Sequence, residues 1–157
     1  MPALDLEKNP GMYNMSHFLD QVEDSKDIWL IYEVGPQCFR KVLSDVKGEF
    51  FKGERIYRVQ HLQFYKRLLT SRHVLQQFII KVAESLDVLQ SFGIVHSDLK
   101  PDNILVELNQ NHTDVLKVKI IDFGTSFQFF KATQVAATTP EYLAPEILKF
   151  LDDRNNP

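Results

Sequence analysis

The feature that most constrains the fold of this chain is a change of hydrophobic pattern at Gly93. Before Gly93, apolar residues recur at three- and four-residue steps, as they do along one face of an α-helix. These residues are Leu75, Phe78, Ile79, Val82, Leu86 and Leu89. Ser71 is placed to cap the start of this helix, and Gly93 to end it. After Gly93 the chain consists of short apolar stretches separated by polar turns, so we predict an α+β fold.

Two β-hairpins are predicted, one on each side of the long helix. Residues 17–24 and 27–34 are the strands of the first hairpin, because the second stretch is rich in β-branched and aromatic residues and a polar turn joins them. Gly35 and Pro36 then end the strand. Residues 106–121 give the second hairpin, whose loop is predicted at residues 109–114.

Residues 37–70 are predicted as two helical segments with a loop between them. Apolar side chains at helical spacing define each segment. They are Phe39, Val42, Leu43 and Val46 in the first segment, and Leu62, Phe64, Tyr65 and Leu68 in the second. Gly48 and Gly53 favour a loop between the two segments.

Composition is that of an ordinary globular protein, with 44% apolar and 25% charged residues. The net charge of −3 argues against nucleic acid or an anionic membrane as an obligatory partner. A single cysteine, Cys38, excludes an intramolecular disulfide and favours the reducing cytoplasm or nucleus. No secretory signal precedes the first strand, and no apolar run approaches the ~20 residues of a membrane span. We therefore expect a soluble protein without a membrane span.

The charges are unevenly distributed along the chain. Residues 1–35 hold seven acids and two bases, whereas residues 36–72 hold nine bases and three acids. The basic stretch 40–72 has two interpretations: a docking surface for an acidic substrate or partner, or the solvated face of a helix, which is the commoner case.

Three short motifs after the long helix point to phosphoryl-transfer chemistry. Residues 94–106 read Ile-Val-His-Ser-Asp-Leu-Lys-Pro-Asp-Asn-Ile-Leu-Val. Asp-Phe-Gly follows at residues 122–124, and Thr-Pro-Glu-Tyr-Leu-Ala-Pro-Glu at residues 139–146. In this order and spacing the three segments resemble the catalytic loop, the DFG turn and the APE segment of the eukaryotic protein kinase family. The Asp-Leu-Lys-Pro form at residues 98–101 resembles its serine/threonine branch.

The resemblance implies a role for each polar residue of these motifs. Asp98 would orient or accept the proton of a substrate hydroxyl, and Lys100 would neutralise the transferring phosphate. Thr139 would bond to both of them. Asn103 and Asp122 would hold Mg²⁺ against the phosphates of ATP.

A weaker match precedes these motifs. Residues 28–35 resemble the fifth strand and the hinge of a kinase N-lobe, with Tyr32 as gatekeeper. The backbones of Glu33, Val34 and Gly35 would then meet the adenine edge, and Leu105 would lie under the ring. Cys38 would sit near the lip of this pocket, as a reactive or a spectator thiol.

The chain departs from the family pattern at both ends and at one internal position. Ser97 replaces the arginine of H-R-D, which makes a switch based on activation-loop phosphorylation doubtful. The sequence contains no G-x-G-x-x-G loop and no Val-Ala-x-Lys strand. The helices that follow APE in the family are also missing, so we expect an apolar face of the long helix to be open and solubility to be poor.

The expected architecture is thus an incomplete protein-kinase-like fold. Residues 1–35 would be the end of the N-lobe and the hinge, with residues 1–16 as the tail of helix C and its exit loop. Residues 36–157 would be a partial C-lobe, which includes an insert resembling helix D and a long helix resembling helix E. Two alternatives to a serine/threonine kinase acting on a protein substrate stay open: a catalytically inactive kinase-like binding module, and a non-functional kinase fragment.

Overall fold

The computed structural model describes residues 9–131 and 139–149. The strands are β1 (Phe18–Glu23), β2 (Ile28–Tyr32), β3 (Gln37–Cys38), β4 (Ser44–Phe51), β5 (Glu54–His61), β6 (Ile94–Val95), β7 (Ile104–Leu108), β8 (Val115–Ile120) and β9 (Phe127–Gln128). The α-helices are α1 (Phe39–Leu43), α2 (Gln63–Thr70) and α3 (Arg72–Ser91). Short 3₁₀ turns lie at Pro10–Asn14, Pro101–Asn103, Phe129–Lys131 and Pro140–Tyr142. The mixture of helices and small sheets confirms the predicted α+β class.

The long helix is α3, and both of its predicted ends are confirmed. The Ser71 hydroxyl accepts the backbone N–H of Val74 at 3.4 Å, which satisfies one of the free donors of the first turn. Gly93 follows the helix with a φ of +63°, a left-handed conformation that costs glycine little.

Both predicted hairpins are also confirmed. β1 pairs antiparallel with β2, from Phe18 opposite Tyr32 to Glu23 opposite Ile28. β7 pairs antiparallel with β8, and β3 adds to the other edge of β7. Asn109 closes the β7–β8 loop, where its side chain bonds to Thr113 and Asp114.

The prediction for residues 44–61 was wrong. These residues form a regular antiparallel hairpin, β4–β5, instead of the end of a helix and a loop. Lys52 and Gly53 make its two-residue turn with φ values of 51° and 84°, the left-handed pair that suits the twist of a tight hairpin. Gly48 lies inside β4, opposite Tyr57. Val46, which we had placed at helical spacing after Val42 and Leu43, therefore belongs to β4.

The core lies between α3 and the sheet of β3, β7 and β8. One cluster of buried side chains joins α1, α2 and the start of α3 to β7 and β8: Phe39, Val42, Phe64, Val74, Ile104, Val106, Val115 and Val118. A second cluster lies at the other end of α3: Met15, Val88, Leu89 and Ile120. Phe39 stacks on Phe78 with ring centroids 4.4 Å apart and meets the edge of Phe64.

A second apolar stripe on α3 is open among the described residues, as expected. Leu75, Ile79 and Leu86 are 39%, 54% and 38% exposed. Phe129 and Phe130, from the turn that follows β9, are more exposed still. The low solubility that such a surface implies stays a prediction.

The 3₁₀ turn Pro10–Asn14 crosses α3 closely enough to need a glycine. A Cβ on Gly11 would lie 2.0 Å from the carbonyl oxygen of Glu84, well inside van der Waals contact. Asn14 also donates to the carbonyl of Lys81 at 3.1 Å. The tail of helix C that we predicted before this turn lies outside the described residues, as does the polar end after residue 149.

Candidate active site

The loop that holds the predicted catalytic residues runs from β6 to β7 and is fixed from beneath by His96. His96 is 4% exposed, and its Nε2 lies 3.0 Å from the carbonyl oxygen of Ile121, at the end of β8. Its ring also lies 5.0 Å from that of Phe123. The backbone N–H of Ile121 bonds to the carbonyl of Asn103 at 3.0 Å. The two loops that carry Asp98 and Asp122 are thus held side by side.

Three polar side chains converge on the carboxylate of Asp98. Lys100 Nζ donates to Oδ2 at 2.6 Å, and the Thr139 hydroxyl donates to Oδ1 at 2.8 Å. Thr139 Oγ1 in turn accepts from Lys100 Nζ at 2.7 Å, which closes a ring of three hydrogen bonds. Asn103 Nδ2 bonds both to the carbonyl of Asp98 (2.9 Å) and to its Oδ2 (3.0 Å). Asp98 and Asn103 are buried, so this geometry is shielded from water.

These contacts determine the charge state of the network. The hydrogen bond from Lys100, aided by those from Thr139 and Asn103, outweighs the effect of burial and lowers the pKa of Asp98 to about 2. In return, the bond to Asp98 raises the pKa of Lys100. At neutral pH the pair is a carboxylate and an ammonium. Because its pKa is so low, Asp98 is a weak base in this state, better suited to orienting a hydroxyl than to removing its proton.

Asp122 lies beside this network, in a conformation that is rare for its residue type. Its φ is +62°, in the left-handed region, and its Oδ1 accepts the N–H of Gly124 at 3.4 Å. Asp122 is exposed, and its negative charge is among the weaker influences that raise the pKa of Lys100, after that of Asp98.

Asn103 and Asp122 suit a magnesium ion better than an ion with an all-protein ligand set. The described residues contain no group of three or more His, Cys, Asp and Glu side chains that could hold a metal. Mg²⁺ usually takes one or two protein oxygens and completes its shell with water and phosphate. Asn103 uses its amide nitrogen toward Asp98, which leaves the oxygen end of that amide for a cation.

The structure brings only some of the predicted adenine-contacting residues together. A cavity of about 440 Å³ is lined by Glu33 and Leu105 along with Tyr32, Ile121 and Asp122. Glu33 can offer this cavity no backbone donor, because its N–H already bonds to the carbonyl of His17 at 3.0 Å.

The other two hinge residues face a different space. Val34 and Gly35 line a neighbouring cavity of about 500 Å³, and the Val34 side chain is fully exposed. Gly35 nevertheless touches Leu105, because a Cβ at residue 35 would lie 2.1 Å from Leu105 Cδ1. The hinge therefore packs directly on the residue predicted to lie under the ring.

Sequence reasoning missed Lys119, which ties the hinge to the sheet. Lys119 is 4% exposed on β8, where its ammonium donates to the carbonyl of Met15 at 2.9 Å and forms a short ion pair with Glu33. This ion pair is the largest influence that lowers the pKa of Glu33. Lys117 and Lys119 alternate with apolar residues, as on a half-exposed strand, so no local signal marks Lys119 as buried.

Ser97 joins the catalytic loop to the segment after Asp-Phe-Gly. Its φ is +63°, and its hydroxyl donates to the carbonyl of Thr125 at 2.8 Å. Ser126 returns a bond from its hydroxyl to the carbonyl of His96 at 3.2 Å. Strands β6 and β9 pair directly beside these bonds. Hydrogen bonds from uncharged hydroxyl groups therefore hold the start of the segment after Asp-Phe-Gly to the catalytic loop.

Cys38 lies at the edge of the sheet, near the 3₁₀ turn of the catalytic loop. Its sulfur is 3.6 Å from the carbonyl oxygen of Asp102 and 3.7 Å from that of Pro101. Arg40, two residues further along the chain, pairs with the Asp102 carboxylate at 2.8 Å.

Across residues 9–131 and 139–149, no helix is both long and apolar enough to cross a membrane.

Comparison of the sequence with known proteins points to one family. The chain is 44% identical over 64 residues to the serine/threonine-protein kinase CG17528 of Drosophila melanogaster, across 41% of this chain and 8% of that protein. It is 35% identical over 80 residues to the serine/threonine-protein kinase mrck-1 of Caenorhabditis elegans, across 48% of this chain and 5% of that protein. The chain thus aligns with less than a tenth of the length of either relative.

The match to the family as a whole is much longer than these pairwise alignments. A family model described as the protein kinase domain covers residues 6–156, and so includes the hinge, the Asp98 network, Asp122 and the residues that follow Thr139. Because that match extends over nearly the whole sequence, the chain belongs to the protein kinase domain family.

Proposed function

We propose that this chain carries the phosphoryl-transfer site of a serine/threonine protein kinase that uses ATP and Mg²⁺. The observation that supports the proposal is the closed ring of hydrogen bonds among Asp98, Lys100 and Thr139. Both of the named relatives above are called serine/threonine-protein kinases. The protein substrate would present a serine or threonine hydroxyl to this ring.

The proposed roles follow from charge and position. Asp98, as a carboxylate, would accept the hydrogen bond of the substrate hydroxyl and aim its oxygen at the phosphate. Lys100 would balance the charge of the phosphoryl group as it moves, since its ammonium already lies 2.6 Å from Asp98. Thr139 would keep both groups in register, because it contacts each of them. Positioning and charge neutralisation are what phosphoryl transfer demands of a protein.

The remaining residues would bind the nucleotide and its metal. Asn103 and Asp122 would hold Mg²⁺, which supplies positive charge against the phosphate oxygens when it is bound. Leu105 would support the adenine from below in the cavity that it shares with Glu33, and Val34 and Gly35, which line the neighbouring cavity, would continue the edge beyond it. In this arrangement residues 1–35 are the end of an N-lobe with its hinge, and residues 36–157 are part of a C-lobe.

Ser97 leads us to propose that this site does not depend on a phosphate in its activation segment. A serine cannot pair with a phosphate as an arginine does. The bonds from Ser97 to Thr125 and from Ser126 to His96 would hold the segment instead. We place the protein in the reducing cytoplasm or nucleus, a proposal that rests on its single cysteine, Cys38.

The test is transfer of labelled γ-phosphate from Mg-ATP to a serine-containing protein substrate, compared between the chain and its Asp98→Ala variant. We expect the substitution to lower kcat by about 10²–10⁴-fold, the usual contribution of a positioned acid–base group. Asp102→Ala is the matched control, since Asp102 lies on the same turn but pairs outward with Arg40. Equal rates for wild type and Asp98→Ala would refute the role of Asp98.

Mg-ATP binding, measured by calorimetry, separates the alternatives if no transfer is seen. Binding without transfer would favour a catalytically inactive binding module. Absence of both binding and transfer would favour a non-functional fragment, since the sequence contains neither a G-x-G-x-x-G loop nor a Val-Ala-x-Lys strand.

A further inference from the structure

The β4–β5 hairpin stands apart from the rest of the fold. Every residue from 45 to 61 is exposed, so both faces of this two-stranded sheet meet solvent. Its contacts with other elements are few and lie at its base, where the Leu62 N–H bonds to the carbonyl of Leu43 at 2.9 Å. A hairpin that packs on nothing contributes little to the stability of a domain, so its eight-residue strands call for another explanation.

The two faces of this hairpin differ in chemistry. Side chains alternate along a strand, and residues opposite each other in the register share a face. One face carries most of the charges, and the charges on it form pairs: Lys47 with Asp45 at 3.8 Å, and Arg58 with Glu49 at 3.3 Å. The other face, which we call the aromatic face, comprises Val46, Gly48, Phe50, Arg55, Tyr57 and Val59. It holds no carboxylate.

Arg55 lies at the turn end of the aromatic face, opposite Phe50. Its guanidinium lies over the ring of Tyr57, 5.3 Å from the centroid, in a cation–π contact. Both side chains extend across Gly48, where an added Cβ would lie 3.2 Å from Arg55 Nε and 3.4 Å from Tyr57 Cε1. Phe50, beside them, is 79% exposed. The face thus combines exposed apolar surface with one positive charge held in a defined position.

The stretch of sequence that contains the hairpin has an excess of positive charge. Within the part of the chain that the structure describes, six basic side chains of the stretch 40–72 have no carboxylate within ion-pair distance. They are Lys41, Lys52, Arg55, Lys66, Arg67 and Arg72. Carboxylates are plentiful elsewhere in the sequence, so this excess of cations is local. A partner that buries the aromatic face would have to supply the missing negative charge.

We propose that the aromatic face docks an extended protein segment in which apolar or aromatic side chains alternate with carboxylates. The apolar side chains of that segment would cover Val46, Phe50 and Val59, and a carboxylate would pair with Arg55. Eight residues of strand span about 26 Å, enough for seven or eight residues of an extended partner. The proposal does not depend on phosphoryl transfer, because the hairpin lies outside the Asp98 network.

The test is a titration of the 157-residue chain into a fluorescein-labelled twelve-residue peptide of alternating glutamate and phenylalanine, followed by fluorescence anisotropy. A matched peptide with lysine in place of glutamate reports the charge preference. We expect the acidic peptide to bind at least tenfold more tightly than the basic one. Equal affinities, or no binding of the acidic peptide, would overturn the proposal.

Two substitutions with the same change of charge locate the site. Arg55→Glu on the aromatic face should weaken binding at least tenfold, whereas Lys47→Glu on the opposite face should change it less than twofold. Phe50→Ser should also weaken binding, although it changes no charge. Arg55→Gln tests the same contact with a milder change, should Arg55→Glu disturb the hairpin. Equal losses for Arg55→Glu and Lys47→Glu would mean general electrostatic attraction and would refute a defined site.

A second copy of this chain is the alternative occupant. Sedimentation of wild type and Phe50→Ser distinguishes it, since the proposal expects the same sedimentation for both. Self-association that Phe50→Ser abolishes, without tighter binding of the acidic peptide, would overturn the proposal in favour of a homodimer.

Discussion

Two hairpins of this molecule share one architecture and differ in almost everything else. β7–β8 and β4–β5 are both regular antiparallel pairs of neighbouring strands. In β7–β8, Ile104, Val106, Val118 and Ile120 are buried beneath α3, whereas all but the first residue of β4–β5 is exposed. Tertiary packing makes the first hairpin part of the core and places Asn103 and Asp122 at its ends. The second hairpin keeps its shape through its turn and its own cross-strand contacts, and so is free to present a surface.

The largest expected difference between the two hairpins is in stability. Val118 is fully buried on β8, and Val59 is 57% exposed on β5. Val118→Ala should lower the free energy of unfolding by about 2 kcal/mol through lost burial and the cavity left behind, whereas Val59→Ala should change it by less than about 0.5 kcal/mol. Urea denaturation monitored by circular dichroism measures both. Equal effects would mean that β4–β5 is packed in solution.

A smaller effect is expected at Lys119, the buried charge of the β7–β8 hairpin. Lys119→Met removes the partner of Glu33, whose side chain is 27% exposed and can recover some hydration. We expect a loss of about 1–2 kcal/mol, less than for a fully buried pair. Lys117→Met is the matched control, because Lys117 is exposed on the same strand. If the control lost as much stability, the ion pair would not be the cause.

The smallest effect is the pH dependence that this ion pair confers. Lys119 lowers the pKa of Glu33 below its ordinary 4.5, so the pair stabilises the fold above that pH, and the contribution is lost as pH falls through the lower, folded-state value. Unfolding free energies measured from pH 6 down to pH 3 should therefore fall more steeply for wild type and Lys117→Met than for Lys119→Met. Parallel curves for all three proteins would contradict this assignment.

The same contrast explains how far the sequence could predict the structure. The helix α3 and the β7–β8 hairpin were predictable because burial imposes a pattern on their residues, such as Leu89 at helical spacing and Val106 at the end of the apolar run that begins at Ile104. The β4–β5 hairpin was missed because neither of its faces is buried, so burial imposes no such pattern on its residues. Its Lys52–Gly53 turn is also a weaker sequence signal than Asn-Gly or Asp-Gly.

The residues of the candidate site also differ in how far the sequence could predict them. Asp98, Lys100 and Asn103 lie within six residues of one another, in the motif whose family resemblance implied their shared task. The bond from Thr139 to Asp98 joins residues 41 apart, and it was expected only from a family resemblance. The contact of Lys119 with Met15 spans 104 residues and left no local trace in the sequence. Long-range polar contacts depend on the whole fold and cannot be derived from spacing.

The bond between Met15 and Lys119 also has a consequence for how the molecule is made. The ribosome adds about 5–20 residues per second, so Met15 is incorporated roughly 5–20 s before its partner on β8 has been synthesised. The same interval separates the synthesis of Ser16 from that of its partner, because the Ser16 N–H bonds to the carbonyl of Ile120 at 3.0 Å. During that interval the β1–β2 hairpin, with Trp29 and Ile28 each 60% exposed even in the folded chain, is a nascent segment without its anchor. Such a segment stays open to a chaperone until β8 has emerged.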